Sequence, residues 1–583
     1  MATDHLAEDF DASIYSASRK PFKLQPTNKS ANREMETGNI TLLIKDGEVV
    51  DGTGRPAFKA DVLVTNQKIT EVGKIESSAD NEIDAYGLTV SPGFINIHDH
   101  SDSTLLADGR AKSLIMQGVT TTVIGNCGYS LAPTDERTLD LLVGNWLFPM
   151  AKVKISWRSF SEFLSELEKR RLWINVAALV GHGTIRIAVL GMGDRKPSEG
   201  ELRKMKRLTY DAMAEGSFGL SSGLAYPPGC YASTEEITQL CEEVAKFDGL
   251  YATHTRKEAM GFLDGIREAI EICERTGVRL QISHIETHYP SWGEQDEALD
   301  LVNFARIRGL DVGCDVIPYL WSATSLYTLL PKWSYEGGPE EMVKRMENRE
   351  VRQKIKAEVQ HGGQELATAA MAKDGLWNRI KILSCPRDKD KEGKTIEEIA
   401  YAQDKEPFET IFDLLALGSP FPSIMAQSHK EEDIRKVVRF QHSIIESDLY
   451  AVSGNRTSAS LTQHPRGFGT YPLVFRKYVR GETRAELPEE PGEKILSLEE
   501  AVRRITSLPA QRLRLPGRGI IREGMYADIV IFDKNQIEDK ATYRNPYIYP
   551  EGIEYVIVNG KIAVRRRRLV DSAPGKILRR GFE

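Results

Sequence analysis

Residues 91–132 read SPGFINIHDHSDSTLLADGRAKSLIMQGVTTTVIGNCGYSLA, and this stretch decides the fold. The apolar run Phe94-Ile95-Asn96-Ile97 predicts a buried strand that ends on His98-Asp99-His100. Side chains alternate along a strand, so the two histidines share a face about 7 Å apart and can converge on one cation. A short helix is expected over Ala111–Gln117, followed by a β-rich run, Val119–Ile124, that ends in Gly125-Asn126-Cys127-Gly128. Glycine on either side lets the chain turn and brings the Cys127 thiol close to a ligand. As a thiolate it is a soft, anionic metal donor. Two strands thus each end in metal-binding chemistry.

Working outward, residues 91 to about 450 alternate strands and helices. Ile174–Val180 ends at Gly181-His182-Gly183, and Phe218–Ser221 at Ser222-Gly223. Leu250–Thr253 ends at His254, and Leu280–Ser283 at His284. Leu310–Val316 ends near Pro318-Tyr319, and Ser443–Glu446 at Ser447-Asp448. With the first two these make eight strands. Ser198–Glu215, Thr234–Phe247, Phe262–Thr276 and Glu294–Arg308 carry apolar residues at three- and four-residue spacing, the mark of helices. Eight strand–helix units predict an α/β fold of the (β/α)8 TIM-barrel type, with its active site at the strand C-terminal ends. An open doubly wound sheet is the alternative, but it gives no reason for ligands at the ends of so many strands. More than a hundred residues separate Val316 from Ser443, among them the helical run EEMVKRMENREVRQKIKAEV. A connection of that length implies an insertion over the barrel mouth, at about 330–420.

The flanks differ in texture. Residues 39–90 hold short alternating strands with Gly-rich turns, and MYADIVIFD and IEYVIVNGKIAV repeat the pattern near the far end. A small antiparallel β-domain, a β-sandwich, is expected from 39–90 plus 497–583, with the barrel over 91–496 between its halves. Residues 1–38 read as a weakly ordered tail, acidic and without the apolar core of a secretory signal.

The 583-residue chain carries a net charge of −7, and its one basic block, Arg565–Arg568, adjoins a predicted strand, so nucleic acid is not an expected partner. No apolar run reaches membrane-spanning length, so no membrane partner is expected. Six cysteines (127, 230, 241, 273, 314 and 385) are scattered without paired spacing, which argues for a reducing compartment and a cytoplasmic location.

Together the strand-end donors are His98, His100, Cys127, His254, His284 and Asp448. Histidine and thiolate favour Zn²⁺, tetrahedral, with one open position if the site is catalytic. At this point the sequence resembles the metal-dependent amidohydrolase superfamily, and within it the N-acyl-D-amino-acid deacylases (D-aminoacylases). The resemblance spans roughly residues 40–580 and rests on PGFINIHDHSD, QGVTTTVIGNCGYSLAP, GLSSGLAYPPGCY, YATHTR, ISHIE, VIPYLWSATSL, ESD, HPRGFGTYP, EGMYADIVIFD and PGKILRR. In this family a cysteine in a GNCG-like turn replaces the carboxylated lysine that bridges the metals of most amidohydrolases, and Cys127 stands there.

The resemblance implies one tight zinc on Cys127, His254 and His284, and a weaker second site near His98, His100, Cys127 and Asp448. It implies that Asp448 is the catalytic acid/base, taking a proton from the attacking water and delivering it to the departing amine. The substrate is then a small-molecule amide. Arg466 is similar to the family's carboxylate-binding arginine. Tyr319 and Ser325 match hydrogen-bonding positions of its pocket, and Tyr226 is a further lining candidate. One position departs from the pattern: two residues after His284, where the family commonly has a lysine that holds the substrate carboxylate, stands Glu286. That reversal favours a neutral or cationic substrate end. It keeps open a second function, hydrolysis of a cyclic amide, a carbamoyl or urea group or a synthetic amide. A third, a non-catalytic barrel scaffold, conflicts with the complete ligand set. Many barrel hydrolases oligomerise, and a homo-oligomer is compatible with this sequence.

Overall fold

In the computed structural model, which describes residues 40–135, 138, 141–142, 155–452 and 464–581, the run Val119–Ile124 is buried along its whole length. A strand with no exposed face belongs inside a parallel sheet covered on both sides. Eight strands of this kind appear: β1 (Phe94–Asn96), β2 (Val119–Ile124), β3 (Asn175–Ala178, continued by Val180–Gly181), β4 (Gly219–Gly223), β5 (Leu250–His254), β6 (Arg279–Ile282), β7 (Val312–Val316) and β8 (Ser443–Ile445). β1, β2 and the first part of β3 pair in parallel. The second part of β3 carries parallel pairing on through β4, β5, β6, β7 and β8. Just past their ends β8 and β1 meet: Asp99 and Leu449 form a parallel bridge, and Asp448 N donates to His98 O at 3.1 Å. The strands therefore run round a ring, the (β/α)8 barrel, and the open sheet with its two free edges is excluded.

The outer helices begin where their serines say they should. Glu201 N donates to Ser198 Oγ at 3.4 Å and Glu201 Oε2 takes Ser198 N at 2.9 Å, a reciprocal cap that starts the helix Glu199–Ala214. Ser233 caps Thr234–Ala245 one way only, its side chain accepting from Glu236 N at 3.2 Å. The helix expected over Ala111–Gln117 is a single turn, Lys112–Ile115.

The two ends of the chain build one continuous sheet of nine strands, joined where Thr89–Pro92 pairs antiparallel with Ile529–Phe532. It is not purely antiparallel, as the turns implied. Thr41–Val49 pairs in parallel with both Asn81–Asp84 and Thr89–Pro92. The hairpin Phe58–Gly73 lies between them in sequence and supplies the length a parallel crossover needs. The helices Leu498–Ile505 and Ser507–Leu513, grouped with this β-domain by sequence, attach to the barrel instead. Their apolar faces explain it: Leu508 and Leu513 are buried with Ile95, Val123, Ala177 and Leu250 of the barrel interior. Arg504 Nη1 donates to Ser443 O of β8 at 3.0 Å, and Arg512 Nη2 to Leu280 O of β6 at 2.6 Å. The proposed tail, residues 1–38, lies outside the described residues.

The long connection after β7 has its own fold. Ser322–Ser325 and Ile380–Ser384 both pair antiparallel with Ser423–Ala426. Ser322 opposite Ala426 marks its base, wider than the 330–420 read from sequence. Five helices surround this sheet, and Leu326, Met342, Met346, Ile355, Phe408 and Phe412 form a core of their own. The single helix expected over EEMVKRMENREVRQKIKAEV is two, Pro339–Glu347 and Arg349–His361. Asn348 interrupts it in extended geometry, its side chain accepting from Glu350 N at 2.9 Å and Val351 N at 3.1 Å. An asparagine that can cap a new helix competes with continuation of the old one. Among the described residues no helix is long and apolar enough to cross a membrane.

Candidate metal centre

The Gly125–Gly128 turn is wedged between two neighbouring strands. A Cβ on Gly125 would stand 2.1 Å from Leu179 O, and one on Gly128 2.7 Å from Gly223 N. Only glycine fits there, and both residues have φ near +80°. Asp102 Oδ2 receives Gly125 N at 3.2 Å and Asn126 Nδ2 donates to Val123 O at 2.9 Å, so the turn is held from both ends. The thiol of Cys127 is thereby carried to the centre of the barrel mouth.

Two donor groups share that thiol. Ligand atoms of Cys127, His254 and His284 lie within 4.8 Å of one another, as do those of His98, His100, Cys127 and Asp448. In the first group His254 Nδ1 faces His284 Nε2 at 2.9 Å. In the second, His98 Nε2 is 3.2 Å from Cys127 Sγ and 3.3 Å from Asp448 Oδ1, and His100 Nε2 is 2.9 Å from the same oxygen. Three of these residues hold left-handed backbone: Cys127 (φ 50°), His284 (φ 35°) and Asp448 (φ 43°). Away from glycine that conformation costs about 1–3 kcal/mol each and persists only where neighbours impose it. Asp315 Oδ1 imposes it at His284, receiving its backbone N–H at 2.6 Å.

The donor set fits a cation. Two imidazole nitrogens that face each other repel unless a proton or an ion sits between them, and a third, soft donor points at the same place. Burial, with Asp448, Glu446 and Asp315 nearby, pushes the Cys127 thiol well up, so a thiolate there needs a cation to carry its charge. Burial pushes His98 down to about 3 and His284 well below its ordinary value, which leaves both neutral as ligands must be. Thiolate with imidazole is a zinc set.

Around these donors the charges are unequal. Burial alone would raise Asp448, but the Arg466 guanidinium, with His100 and His98, holds it well below the usual carboxylate range. Arg466 Nη2 donates to Asp448 Oδ2 at 2.9 Å, while its Nε and Nη1 are buried with no hydrogen-bond partner among the described residues. Burial, then Asp448 and Asp315, raises Glu446, and neither of its oxygens is bonded. Burial pushes Asp315 up to about 7. His98, Asp315 and Glu446 also converge within 4.8 Å.

The other sequence-derived candidates divide. The Tyr226 ring lies 4.6 Å from that of His254 between centroids, and its hydroxyl is 3.4 Å from Thr324 Oγ1. Ser325 is buried at the end of the insertion's first strand, its hydroxyl unbonded. Tyr319 stands edge-on to His464 at 5.3 Å, and its hydroxyl ends beside Gly469, on the helix Arg466–Leu473. Glu286 is fully buried, with Oε1 accepting Ile317 N at 3.3 Å and Oε2 unbonded, and it shares a small cavity with Glu258, His284 and His288. Burial, with Asp315 and Asp448 nearby, raises its carboxyl well above the usual range. A raised carboxyl weakens the charge reversal read at this position from sequence.

Asp315, Glu446, Asp102 and Glu258 were not read as functional from sequence. Two of them carry a signal: Asp315 interrupts the apolar run of β7, and Glu446 is a second carboxylate in the Glu446-Ser447-Asp448 stretch that follows β8. Asp102 and Glu258 carry none.

A barrel with histidine, thiolate and carboxylate donors at its strand C-terminal ends is the frame of a metal-dependent hydrolase. The amidohydrolase-family profile matches residues 81–413 and 469–564. The chain is 31% identical to an N-acyl-D-glutamate deacylase of Alcaligenes xylosoxydans xylosoxydans over 93% of its own length and 97% of that protein. It is 30% identical to a D-aminoacylase of the same organism, over 92% of its length and 97% of the relative. Among solved structures, an N-acyl-D-glutamate deacylase from Bordetella bronchiseptica superimposes with a TM-score of 0.77 at 26% identity, covering 93% of this chain and 100% of that one. That enzyme was crystallised with zinc and a phosphonate mimic of the tetrahedral intermediate. The chain belongs to the amidohydrolase family, in its D-aminoacylase branch, and is a metal-dependent hydrolase of amide C–N bonds.

Proposed function

We propose that this chain is a zinc-dependent deacylase of N-acyl amino acids, with the D-configured acids as its substrate class. The observation that carries this reading is the position of Asp448. One of its oxygens faces the ring nitrogens of His98 and His100, the other is held by Arg466, and Cys127 lies beside it. Cys127, His254 and His284 would hold the tight ion, and His98, His100, Cys127 and Asp448 a weaker second one. Zinc supplies a polarised carbonyl and a water of lowered pKa. Asp448, kept ionised by Arg466, takes the proton of the attacking water and returns it to the departing amine, which leaves poorly unless protonated. The two unbonded nitrogens of Arg466 offer donors to the substrate carboxylate. With Glu286 engaged by the backbone of Ile317, Arg466 meets that carboxylate alone.

One observation favours a second reading. Glu286 Oε2 is buried and unbonded, and an N–H of a cyclic amide, ureido or carbamoyl substrate would satisfy it. The test compares kcat/KM for N-acyl-D- and L-amino acids, their methyl esters and a cyclic ureide, in wild type and Glu286→Lys. The deacylase reading expects the free D-acids to lead by at least tenfold in wild type. If the cyclic or neutral substrates lead and Glu286→Lys shifts preference toward the acids, the second reading replaces it.

A further inference from the structure

Four residues past His254, Glu258 places Oε1 2.8 Å from His254 Nε2. That is the ring nitrogen opposite Nδ1, the one that faces His284. The two atoms are close but off the line of an ideal hydrogen bond, and Nε2 is otherwise buried without a partner. The imidazole thus has a carboxylate beside one nitrogen and presents the other to the shared donor point.

Glu258 is not a loose surface carboxylate. Only 15% of its side chain is exposed, and its neighbours are histidines: His254, His284 and His288. Among the described residues no lysine or arginine forms an ion pair with it. Its backbone is tied down from outside the barrel. The N–H groups of Glu258 and Ala259 both donate to Glu365 O at 2.9 Å, and that of Met260 donates to Gln364 O at 3.0 Å. Glu365 and Gln364 belong to the insertion, so the insertion sets where this carboxylate stands. On the barrel side, Arg256 is anchored by both oxygens of Glu268 at 2.9 Å.

We propose that Glu258 is a positioning residue for the metal. It holds the Nε2–H of His254, fixes that tautomer, and so presents the Nδ1 lone pair to the cation shared with Cys127 and His284. A carboxylate behind a ligating imidazole orients the ring and strengthens it as a donor. The proposal rests on the ligand assignment made above.

The test is zinc affinity, measured by chelator competition on the full chain, for wild type, Glu258→Ala, Glu258→Gln and Cys127→Ala. The absorption spectrum of the cobalt(II)-substituted proteins is recorded alongside. Glu258→Ala is expected to bind zinc about 10- to 100-fold more weakly, and Glu258→Gln, which keeps an acceptor oxygen, less so. The cobalt bands should shift while the melting temperature of the metal-free protein stays put, which a merely structural glutamate would not produce. If Glu258→Ala does not fold, Glu258→Gln carries the test, a threefold or greater loss supporting the proposal. Wild-type zinc affinity and an unchanged cobalt spectrum in the Glu258 variants, with zinc lost in Cys127→Ala, overturn it. Zinc retained at wild-type affinity in Cys127→Ala overturns the ligand assignment itself.

Discussion

Two buried arginines, Arg504 beneath the barrel and Arg466 at its mouth, face opposite circumstances. All three guanidinium nitrogens of Arg504 are occupied: Nε by Glu500, Nη1 by the carbonyls of Phe440 and Ser443, and Nη2 by that of Arg439. Arg466 spends one nitrogen on Asp448 and leaves two buried without partners among the described residues. The surroundings repeat the contrast. Below, Leu508 and Leu513 fill the barrel floor. Above, among the described residues, both oxygens of Glu446, Glu286 Oε2, and Nδ1 of His98 and His100 are unbonded. A buried polar group without a partner is destabilising by about 1–3 kcal/mol. Several of them gathered around one set of donors are what a bound ligand or ion would complete. The floor is built for stability and the mouth for binding, the division expected of this barrel.

The sharpest way to break the comparison is Asp448→Asn. Loss of a positioned acid–base group should lower kcat by about 10²–10⁴-fold, with the tightly held zinc and the melting temperature near wild type. Single-turnover rates within tenfold of wild type would place the proton transfer on another residue. Leu513→Ala should do the reverse. Truncating a buried leucine typically removes about 2–5 kcal/mol of stability, read from urea unfolding, while kcat/KM per folded molecule stays unchanged. A drop in kcat/KM at low temperature, where the variant is fully folded, would show that floor and mouth are coupled.

The smallest effect concerns Asp311, under the barrel at the start of β7. Burial raises its carboxyl, but Arg512 and Arg279 more than offset this and hold it below its ordinary value. Arg279 Nε is 3.0 Å away, and Arg512 forms a second ion pair. A folded pKa below the unfolded one means that the native state binds fewer protons near pH 4. The contribution is therefore complete above about pH 5 and is lost as acid titrates the carboxylate through its folded pKa. Asp311 is 45% exposed, so solvent screening keeps the gain under about 1 kcal/mol. Stability against pH should fall less steeply below pH 5 in Asp311→Asn than in wild type; superimposable curves would remove this pair from the account of the floor.

The convergence of candidate donors at the mouth was legible because each closes an apolar run at the C-terminal end of a barrel strand. His98 and His100 follow the run that forms β1, and Cys127, His254, His284 and Asp448 each end an apolar run. Tyr319 illustrates the limit. It follows β7 as the pocket pattern requires, yet its hydroxyl ends beside Gly469, because the direction of a side chain in a loop depends on what packs against it. Asn348 illustrates another, since the periodicity continues through it while its side chain starts a second helix.

Local rules sufficed for the eight strands, the outer helices and the donors, since burial period, capping serines and strand parity are set by residues a few positions apart. Contacts between distant segments were decided only in the folded chain. The left-handed backbone of Cys127, His284 and Asp448, the hold of Asp315 on His284 and the attachment of Leu498–Leu513 under the barrel are of this kind. So is the approach of Glu258 to His254, because the loop that carries it is fixed by backbone bonds to residues 364 and 365, more than a hundred positions away. A hydrogen bond between two backbones leaves no mark on the identity of either residue, and no reading of side chains in order can find it.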